Sequence, residues 1–183
     1  MPRFVALLRA VNVGKRQVRM ADLRGWLEDN GFTDVETYIQ TGNVRVATTL
    51  RSRAKVEQRL EGLLAERCGF DVPCIVLTPA ELSQVHADAQ AIAPPFGNAG
   101  EQRRYVVFFK DAVTADAAEE MAAYDAPAER IWANDRTVHV WISGRFQEAK
   151  VFGAFAKALS PGTNRDLKVV AALDARWGTV SGA

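Results

Sequence analysis

The chain has 183 residues, 48% of them hydrophobic and 25% charged, and its 23 basic and 22 acidic side chains leave a net charge of +1. This length suits one domain or two small halves, and it can bury a sizeable core without disulfides or metal. The balanced charge does not favour a nucleic-acid binder, no apolar run approaches the ~20 residues of a membrane-spanning helix, and no signal-peptide pattern opens the chain. We therefore expect a cytoplasmic protein without a membrane partner.

Cysteine and histidine are too few and too scattered to predict redox or metal chemistry. Cys68 and Cys74 are not spaced as C-x-x-C, so they are expected to be buried thiols, with a redox pair as the less favoured alternative. His86 and His139 lie far apart and do not form a zinc-type cluster. We expect no metal and no cofactor.

The first half of the chain shows patterns in the order β-α-β-β-α-β. A continuous apolar run predicts a buried strand, apolar stripes predict helices, and alternation predicts a hairpin. The predicted elements are a strand over 3–10, a loop over 11–18, a helix over 20–30, hairpin strands over 35–39 and 44–48, a helix over 52–68 and a strand over 72–77. This order folds most simply into a four-stranded antiparallel sheet with both helices on one face, the ferredoxin-like arrangement.

The second half repeats most of this order without a residue-level repeat. Thr78 and Glu81 form a capping box with Pro79 at the first helical position, which predicts a helix to residue 89. The elements that follow are a linker-like segment over 93–100, a strand over 104–110, a helix over 114–124, a hairpin over 130–133 and 137–143 around Asn134-Asp135, and helices over 148–159 and 164–176. The order β-α-β-β-α-α puts a helix where the first half has its last strand. We predict an α+β chain in which a ferredoxin-like subdomain (1–78) packs with a second α+β subdomain (79–183), the two being separate or one compact unit.

A first polar cluster, Arg9, Asn12, Gly14, Lys15 and Arg16, follows the first strand. Arginine and lysine supply charge-assisted donors, and a glycine loop lets backbone N–H groups approach a phosphate or carboxylate, so the cluster predicts an anion site. The loop matches neither a Walker sequence nor G-x-G-x-x-G, and ATP hydrolysis and dinucleotide binding are unsupported. The alternative is an ion-paired Arg9 beside solvated loop charges.

A second cluster is the predicted hairpin turn with Tyr38, Gln40, Gly42 and Asn43. Its functional interpretation is that Tyr38, Gln40 and Asn43 face a ligand. Because the strand of Arg9 and this hairpin are expected in one sheet, the two clusters are expected to be neighbours. The alternative is a tight turn whose polar side chains bond its own backbone, with Gly42 at positive φ.

The third cluster contains Asn164 and Arg165, directly after the break at Ser160-Pro161-Gly162-Thr163. One interpretation is a helix start that is capped by Thr163 or Asn164. An arginine in the first turn is slightly unfavourable for the helix dipole, so Arg165 indicates an acidic partner or an anionic ligand.

No catalytic constellation is recognisable. There is no G-x-S-x-G motif, and a Cys–His pair would need long-range coincidence. An enzyme that uses the same pocket, such as a transferase or hydrolase, therefore remains an alternative hypothesis for which the sequence indicates no base or nucleophile. A further alternative is a nucleic-acid or protein interaction module with an aromatic sheet face, built from Tyr105, Phe109, Trp132 and Trp141 beside Arg103 and Arg104.

Two stretches carry a resemblance to a known family. The chain resembles the domain of unknown function 1697 family in its opening, Leu8-Arg9-Ala10-Val11-Asn12-Val13-Gly14, Met20, Leu23 and Thr37-Tyr38-Ile39-Gln40-Thr41-Gly42-Asn43-Val44, and in its closing stretch from Thr163 to Val170 with Leu173. It departs from that family's pattern where the family has glycine at Ala10, serine at Thr41 and Arg-Asn-Trp at Arg165-Asp166-Leu167. The resemblance implies a bacterial cytoplasmic α+β protein with a ferredoxin-like half, and it supplies no activity.

The leading hypothesis is binding of a small anionic or phosphate-bearing ligand at the strand-end site. In it Arg9, Lys15 and Arg165 supply positive charge. The side chains that would orient the ligand are Asn12, Tyr38, Gln40 and Asn43.

Overall fold

The structure is a computed structural model that describes residues 1–97 and 102–179. The chain divides into two compact units, the first formed by Met1–Ser83 with Leu173–Ala183 and the second by Gln84–Ala172. Each unit contains one four-stranded antiparallel sheet in its described residues. The prediction of an α+β chain with antiparallel sheets is confirmed.

The first unit has the predicted order of elements. These are β1 (Arg3–Leu8), α1 (Met20–Asp29), β2 (Thr33–Tyr38), β3 (Asn43–Ala47), α2 (Arg53–Cys68) and β4 (Cys74–Leu77). The strands lie in the order β2-β3-β1-β4, and every neighbouring pair is antiparallel. The prediction of a four-stranded antiparallel sheet in the first half is thereby confirmed.

One face of the first sheet forms the core of this unit. Phe4, Ala6 and Leu8 point to that face from β1, and they share one buried cluster with Leu23 of α1 and Leu60 of α2. Alternate residues of a strand point to the same face, so both helices cover the same side of the sheet. The two thiols Cys68 and Cys74 form no disulfide.

Two backbone N–H groups of the edge strand β4 donate hydrogen bonds to acidic side chains of α2. The Cys74 N–H donates to Glu61 Oε1 at 2.8 Å, and the Val76 N–H donates to Glu57 Oε1 at 3.0 Å. Because Glu57 and Glu61 are four residues apart, both reach the same side of the helix. Two alternate N–H groups of an edge strand are thereby occupied, which protects the edge from pairing with another chain.

The predicted capping box is confirmed at the start of α3 (Pro79–Ala91). The Thr78 N–H donates to Glu81 Oε2 at 2.7 Å, and the Glu81 N–H donates to Thr78 Oγ1 at 3.2 Å. Of the linker predicted over 93–100, residues 98–100 lie outside the described residues.

The second unit repeats the sheet of the first. Its elements are β5 (Gln102–Phe108), α4 (Ala115–Ala122), β6 (Glu129–Asn134), β7 (Thr137–Ser143), a 3-10 turn (Phe146–Glu148), α5 (Val151–Ala154), α6 (Ala156–Leu159) and β8 (Thr163–Asp166). The helix that follows, α7 (Leu167–Trp177), begins in the second unit and ends in the first. The strand order β6-β7-β5-β8 matches that of the first sheet position by position. Val107 and Val140 pack against Met121 and Phe155 in its core. The predicted hairpin around Asn134-Asp135 is present as β6 and β7, and Asp135 in its turn is left-handed with φ 49°.

Two predictions for the second unit are wrong. Thr163 to Asp166 form a strand rather than the start of a helix, because β8 pairs with β5 from Phe108 to Tyr105 and completes the sheet. The side chain that caps α7 is Asp166, whose Oδ1 accepts the Lys168 N–H at 2.8 Å, and not Thr163 or Asn164. The single helix predicted over 148–159 is divided by Phe155, which has φ −106° and ψ 20°.

Candidate functional site

The loop after β1 and the β2–β3 turn are joined by one asparagine. Asn12 Nδ2 donates to Val18 O at 3.0 Å and to Gln40 O at 2.6 Å, and Asn12 Oδ1 accepts the Val18 N–H at 2.8 Å. The Leu8 N–H also donates to Gly42 O at 2.8 Å. The first and second polar clusters therefore lie side by side in the first unit.

Gly42 and Asn43 stabilise the β2–β3 turn through its packing and its internal hydrogen bonds. Asn43 is fully buried, and its Nδ2 donates to Tyr38 O at 3.0 Å and to Thr41 Oγ1 at 2.9 Å. Gly42 has φ +77°, and a Cβ placed there would lie 2.6 Å from Val11 Cγ2. The amide of Asn43 and the missing side chain of Gly42 are both used to pack the turn.

The loop itself presents two cations. Ala10, Asn12 and Gly14 have φ of 54°, 55° and 58°, so the chain takes three left-handed steps within five residues. The side chains of Arg9 and Lys15 make no hydrogen bond or ion pair to any described residue. Non-glycine residues in the left-handed region are costly and often mark functional sites.

Other polar side chains near this loop are engaged. Arg16 donates to Asp71 O and lies over the Phe70 ring, 4.6 Å from its centroid. Tyr38 has the Arg176 guanidinium over its ring at 4.8 Å. The loop thus keeps Arg9 and Lys15 as its available charges.

The third cluster is divided by the pleat of β8. Asn164 is exposed, whereas Arg165 is 6% exposed and lies opposite Val106. Arg165 Nη1 donates to Thr163 Oγ1 at 2.9 Å and to Asn164 O at 2.8 Å. Burial lowers the pKa of Arg165 to about 10, so it still carries its charge at neutral pH.

A basic pocket lies at one end of the second sheet. Because β5 is antiparallel to β7 and β8, its first residues lie beside the last residues of those strands. The pocket has a volume of about 840 Å³ and is lined by Gln90, Gln102, Arg103, Arg104, Gly144, Arg145, Asp166, Leu167, Lys168 and Ala171. Strand ends and the start of α7 thus bring together residues that are distant in the sequence.

Positive charge dominates the pocket. Four cationic residues and one acidic residue, Asp166, line it, and Asp166 is also the cap of α7. Arg104 is fixed by its stacking over Trp141, 4.0 Å from the ring centroid, and by a hydrogen bond to Ala89 O, and burial lowers its pKa. Arg145 has only an exposed ion pair at 3.8 Å with Glu148. The side chains of Arg103 and Lys168 have no ion-pair partner among the described residues.

The aromatic residues of the alternative hypothesis are not an open surface. Trp141 is 3% exposed beneath Arg104, and Phe109 is 7% exposed in the helix-covered core. Trp132 stacks on His139 with 6.1 Å between ring centroids. Burial lowers the pKa of His139 to about 4, an effect that Asp88 opposes and Arg104 strengthens.

The basic pocket was not among the sites predicted from the sequence. Sequence reasoning noted Arg103 and Arg104 but missed Gln90, Arg145 and Lys168 as their neighbours. Predicting β8 as the fourth strand of this sheet would have identified these neighbours. The antiparallel pairing of β8 with β5 brings Asp166 and the start of α7 close to the arginines. Among the described residues, no cluster of three or more His, Cys, Asp or Glu side chains suits a metal ion. No helix of the described ranges is long and apolar enough to cross a membrane.

The two matching sheets and the basic pocket define an α+β protein of two similar units. The chain belongs to the family described as protein of unknown function (DUF1697), whose sequence model matches residues 1–139. It is similar to a solved structure of a conserved bacterial protein from Streptococcus pneumoniae, with 21% sequence identity, a TM-score of 0.75, and coverage of 97% of this chain and 98% of that chain. At this identity the likeness shows the fold. A search of curated proteins gave no match.

Proposed function

We propose that the protein binds a small anionic or phosphate-bearing ligand in the basic pocket of the second unit. The observation that carries this proposal is the excess of four cationic residues over one acidic residue among those that line a concave space of about 840 Å³. Cavities of ~300–1,000 Å³ are the usual size of small-molecule sites. Charged donors such as arginine and lysine bind phosphate and carboxylate more strongly than neutral donors do.

The residues have different roles in this proposal. Arg103 and Lys168 contact the anion, because their side chains have no ion-pair partner among the described residues. Arg104 supplies a fixed charge on the wall, since Trp141 and Ala89 hold its guanidinium. Arg165 positions β8 rather than contacting ligand, because it is buried and donates within its own strand.

The strand-end loop of the first unit is a second candidate location for the same class of ligand. Arg9 and Lys15 have no side-chain partner among the described residues, and the loop takes left-handed steps at Ala10, Asn12 and Gly14. Backbone N–H groups in such turns form anion-binding concavities. The basic pocket is preferred because it adds a concave shape to the charge.

A thermal-shift screen with three double variants tests the proposal. The ligands are inorganic phosphate, sugar phosphates, nucleotides, nicotinamide and methyl-donor cofactors and short RNA. A ligand at ~100 times its dissociation constant adds about 2.7 kcal/mol, which raises Tm by several degrees for a chain of this size. The variants are Arg103→Ala/Lys168→Ala, Arg9→Ala/Lys15→Ala, and the control Arg51→Ala/Lys55→Ala, which removes equal charge from exposed positions.

We expect an anion-dependent shift in the wild type that is lost only in the Arg103/Lys168 variant. Loss only in the Arg9/Lys15 variant would move the site to the strand-end loop. A shift with RNA alone that falls steeply with salt would favour the nucleic-acid alternative. The absence of any shift across the panel would refute the proposal.

A further inference from the structure

We infer that the ligand of the basic pocket is a polyhydroxylated phosphate of the sugar-phosphate class, an inference that rests on the proposed function. The pocket contains hydrogen-bond acceptors as well as cations. At neutral pH inorganic phosphate carries few hydrogens, and they lie on the charged group itself, so they are poorly placed to reach acceptors elsewhere in the wall. A ligand that carries both an anionic group and hydroxyl groups would use both kinds of side chain.

Two glutamines in the wall have their amide nitrogens occupied. Gln102 Nε2 donates to Phe96 O at 2.8 Å, and Gln90 Nε2 lies 3.1 Å from His86 Nε2. Because the Phe96 carbonyl can only accept, its bond assigns the nitrogen and the oxygen of the Gln102 amide. Each glutamine is left with an amide oxygen that receives no hydrogen bond from a described residue.

The oxygen of Gln102 is the more informative of the two. It is buried, and no described residue donates to it. Buried polar atoms without a partner are uncommon in folded proteins and call for an explanation. A hydroxyl of a ligand, reached by a small rotation of the Gln102 amide toward the pocket, would satisfy this oxygen.

Asp166 adds a third acceptor to the same pocket. Its Oδ1 accepts the Lys168 N–H at 2.8 Å, and its Oδ2 has no hydrogen bond to a described residue. A lone carboxylate beside an anion site would repel a simple anion. It fits a ligand whose hydroxyl groups lie between the carboxylate and the phosphate.

The lining also bears on the choice between a sugar phosphate and a nucleotide. None of the described lining residues is aromatic. The nearest indole, that of Trp141, is buried and has the Arg104 guanidinium over its ring at 4.0 Å. Bases that proteins bind are commonly stacked on aromatic side chains, so a base would find no such partner here.

Calorimetric titration of the full chain tests this inference with three probes: inorganic phosphate, glucose 6-phosphate and adenosine monophosphate. The variants are Gln102→Met, which keeps the side-chain size and removes the acceptor together with the amide donor to Phe96 O, and Gln147→Met as an exposed control outside the pocket. We expect glucose 6-phosphate to bind about tenfold more tightly than phosphate, from one or two added hydrogen bonds. Gln102→Met should remove most of that gain, so that the ratio of the two affinities falls toward one, and Gln147→Met should leave that ratio unchanged.

The outcomes separate this inference from the proposed function. If phosphate binding depends on Arg103 and Lys168 but the sugar adds no affinity, the sugar-phosphate inference is overturned and the anion site stands. The same holds if the nucleotide binds as tightly as the sugar phosphate, or if Gln102→Met leaves the ratio of affinities unchanged. If no probe binds, the proposed function is refuted together with the inference.

Discussion

Replacing Gly42 by alanine tests the contact between the β2–β3 turn and the loop after β1. Gly42 has φ +77°, and an added Cβ would lie 2.6 Å from Val11 Cγ2 and 2.7 Å from Leu8 Cβ. The left-handed conformation costs an alanine about 1–2 kcal/mol, and overpacking adds about 1–3 kcal/mol. We therefore expect Gly42→Ala to lower the free energy of unfolding by roughly 2–5 kcal/mol.

Two other glycines of the first unit serve as matched controls. Gly31 has φ +85° and no atom within 4 Å of an added Cβ, so Gly31→Ala should cost only the left-handed term of about 1–2 kcal/mol. Gly25 lies inside α1 with open space around it, and Gly25→Ala should be stabilising by about 0.5–1 kcal/mol. The series separates backbone strain from steric overlap.

Circular dichroism during thermal unfolding is the assay. At about 2–4 °C per kcal/mol for a chain of this size, we expect Tm to fall by about 10 °C for Gly42→Ala and by about 4 °C for Gly31→Ala. Equal falls in Tm for these two variants would show that the turn does not pack tightly against Val11 and Leu8. Steric contact would then not explain why glycine is needed at position 42.

Three further predictions concern stability. Glu57→Ala should cost about 1–3 kcal/mol in urea unfolding because it leaves the Val76 N–H of an edge strand without this acceptor, and a loss below 0.5 kcal/mol would contradict that role. Because the pKa of His139 is lowered to about 4 from the 6.5 of the unfolded chain, the unfolded state binds the proton first. Stability should thus fall by about 2 kcal/mol between pH 7 and pH 5, and His139→Gln should flatten that slope in the same titration. Thr78→Ala should lower Tm by a few degrees, from about 1 kcal/mol of lost capping, and no change would mean that the capping box with Glu81 is dispensable.

The sheet of the first unit could be predicted because its elements carry strong local signals. Phe4 to Leu8 are uninterruptedly apolar, and the apolar stripe of α2 recurs at helical spacing through Leu60 and Leu64. Thr78 and Glu81 form a motif that needs only local chain to act. In this part of the chain local preference and tertiary packing agree, so the order of elements was enough to specify the sheet.

The strand Thr163–Asp166 could not be predicted in the same way. Its sequence is polar, and neither apolar alternation nor β-branched residues beyond Thr163 indicate a strand. It is a strand because β5 offers it an open edge, which is a tertiary reason. The helix start was consequently placed too early, and the end of the sheet that holds the basic pocket could not be recognised.

Residue types in the strand-end cluster do not by themselves assign roles. Asn12, Gly42 and Asn43 are predicted ligand contacts because polar residues and glycines are common in binding loops. In the structure Asn12 joins two loops, while Gly42 and Asn43 pack a turn. Only the partners of each side chain, which the sequence does not contain, distinguish these duties from ligand binding.

The discontinuous first unit has a consequence for protein synthesis. This unit combines residues from before and after the second unit, and Ser83 donates to Asp174 Oδ1 at 2.5 Å while accepting the Thr179 N–H at 2.9 Å. A ribosome releases the chain from its N-terminus, so every residue of the second unit emerges before Asp174 does. The first unit is therefore translated first but completed last. A stop codon after residue 172 would leave the second unit's residues intact and remove part of the first unit, including Asp174, the partner of Ser83.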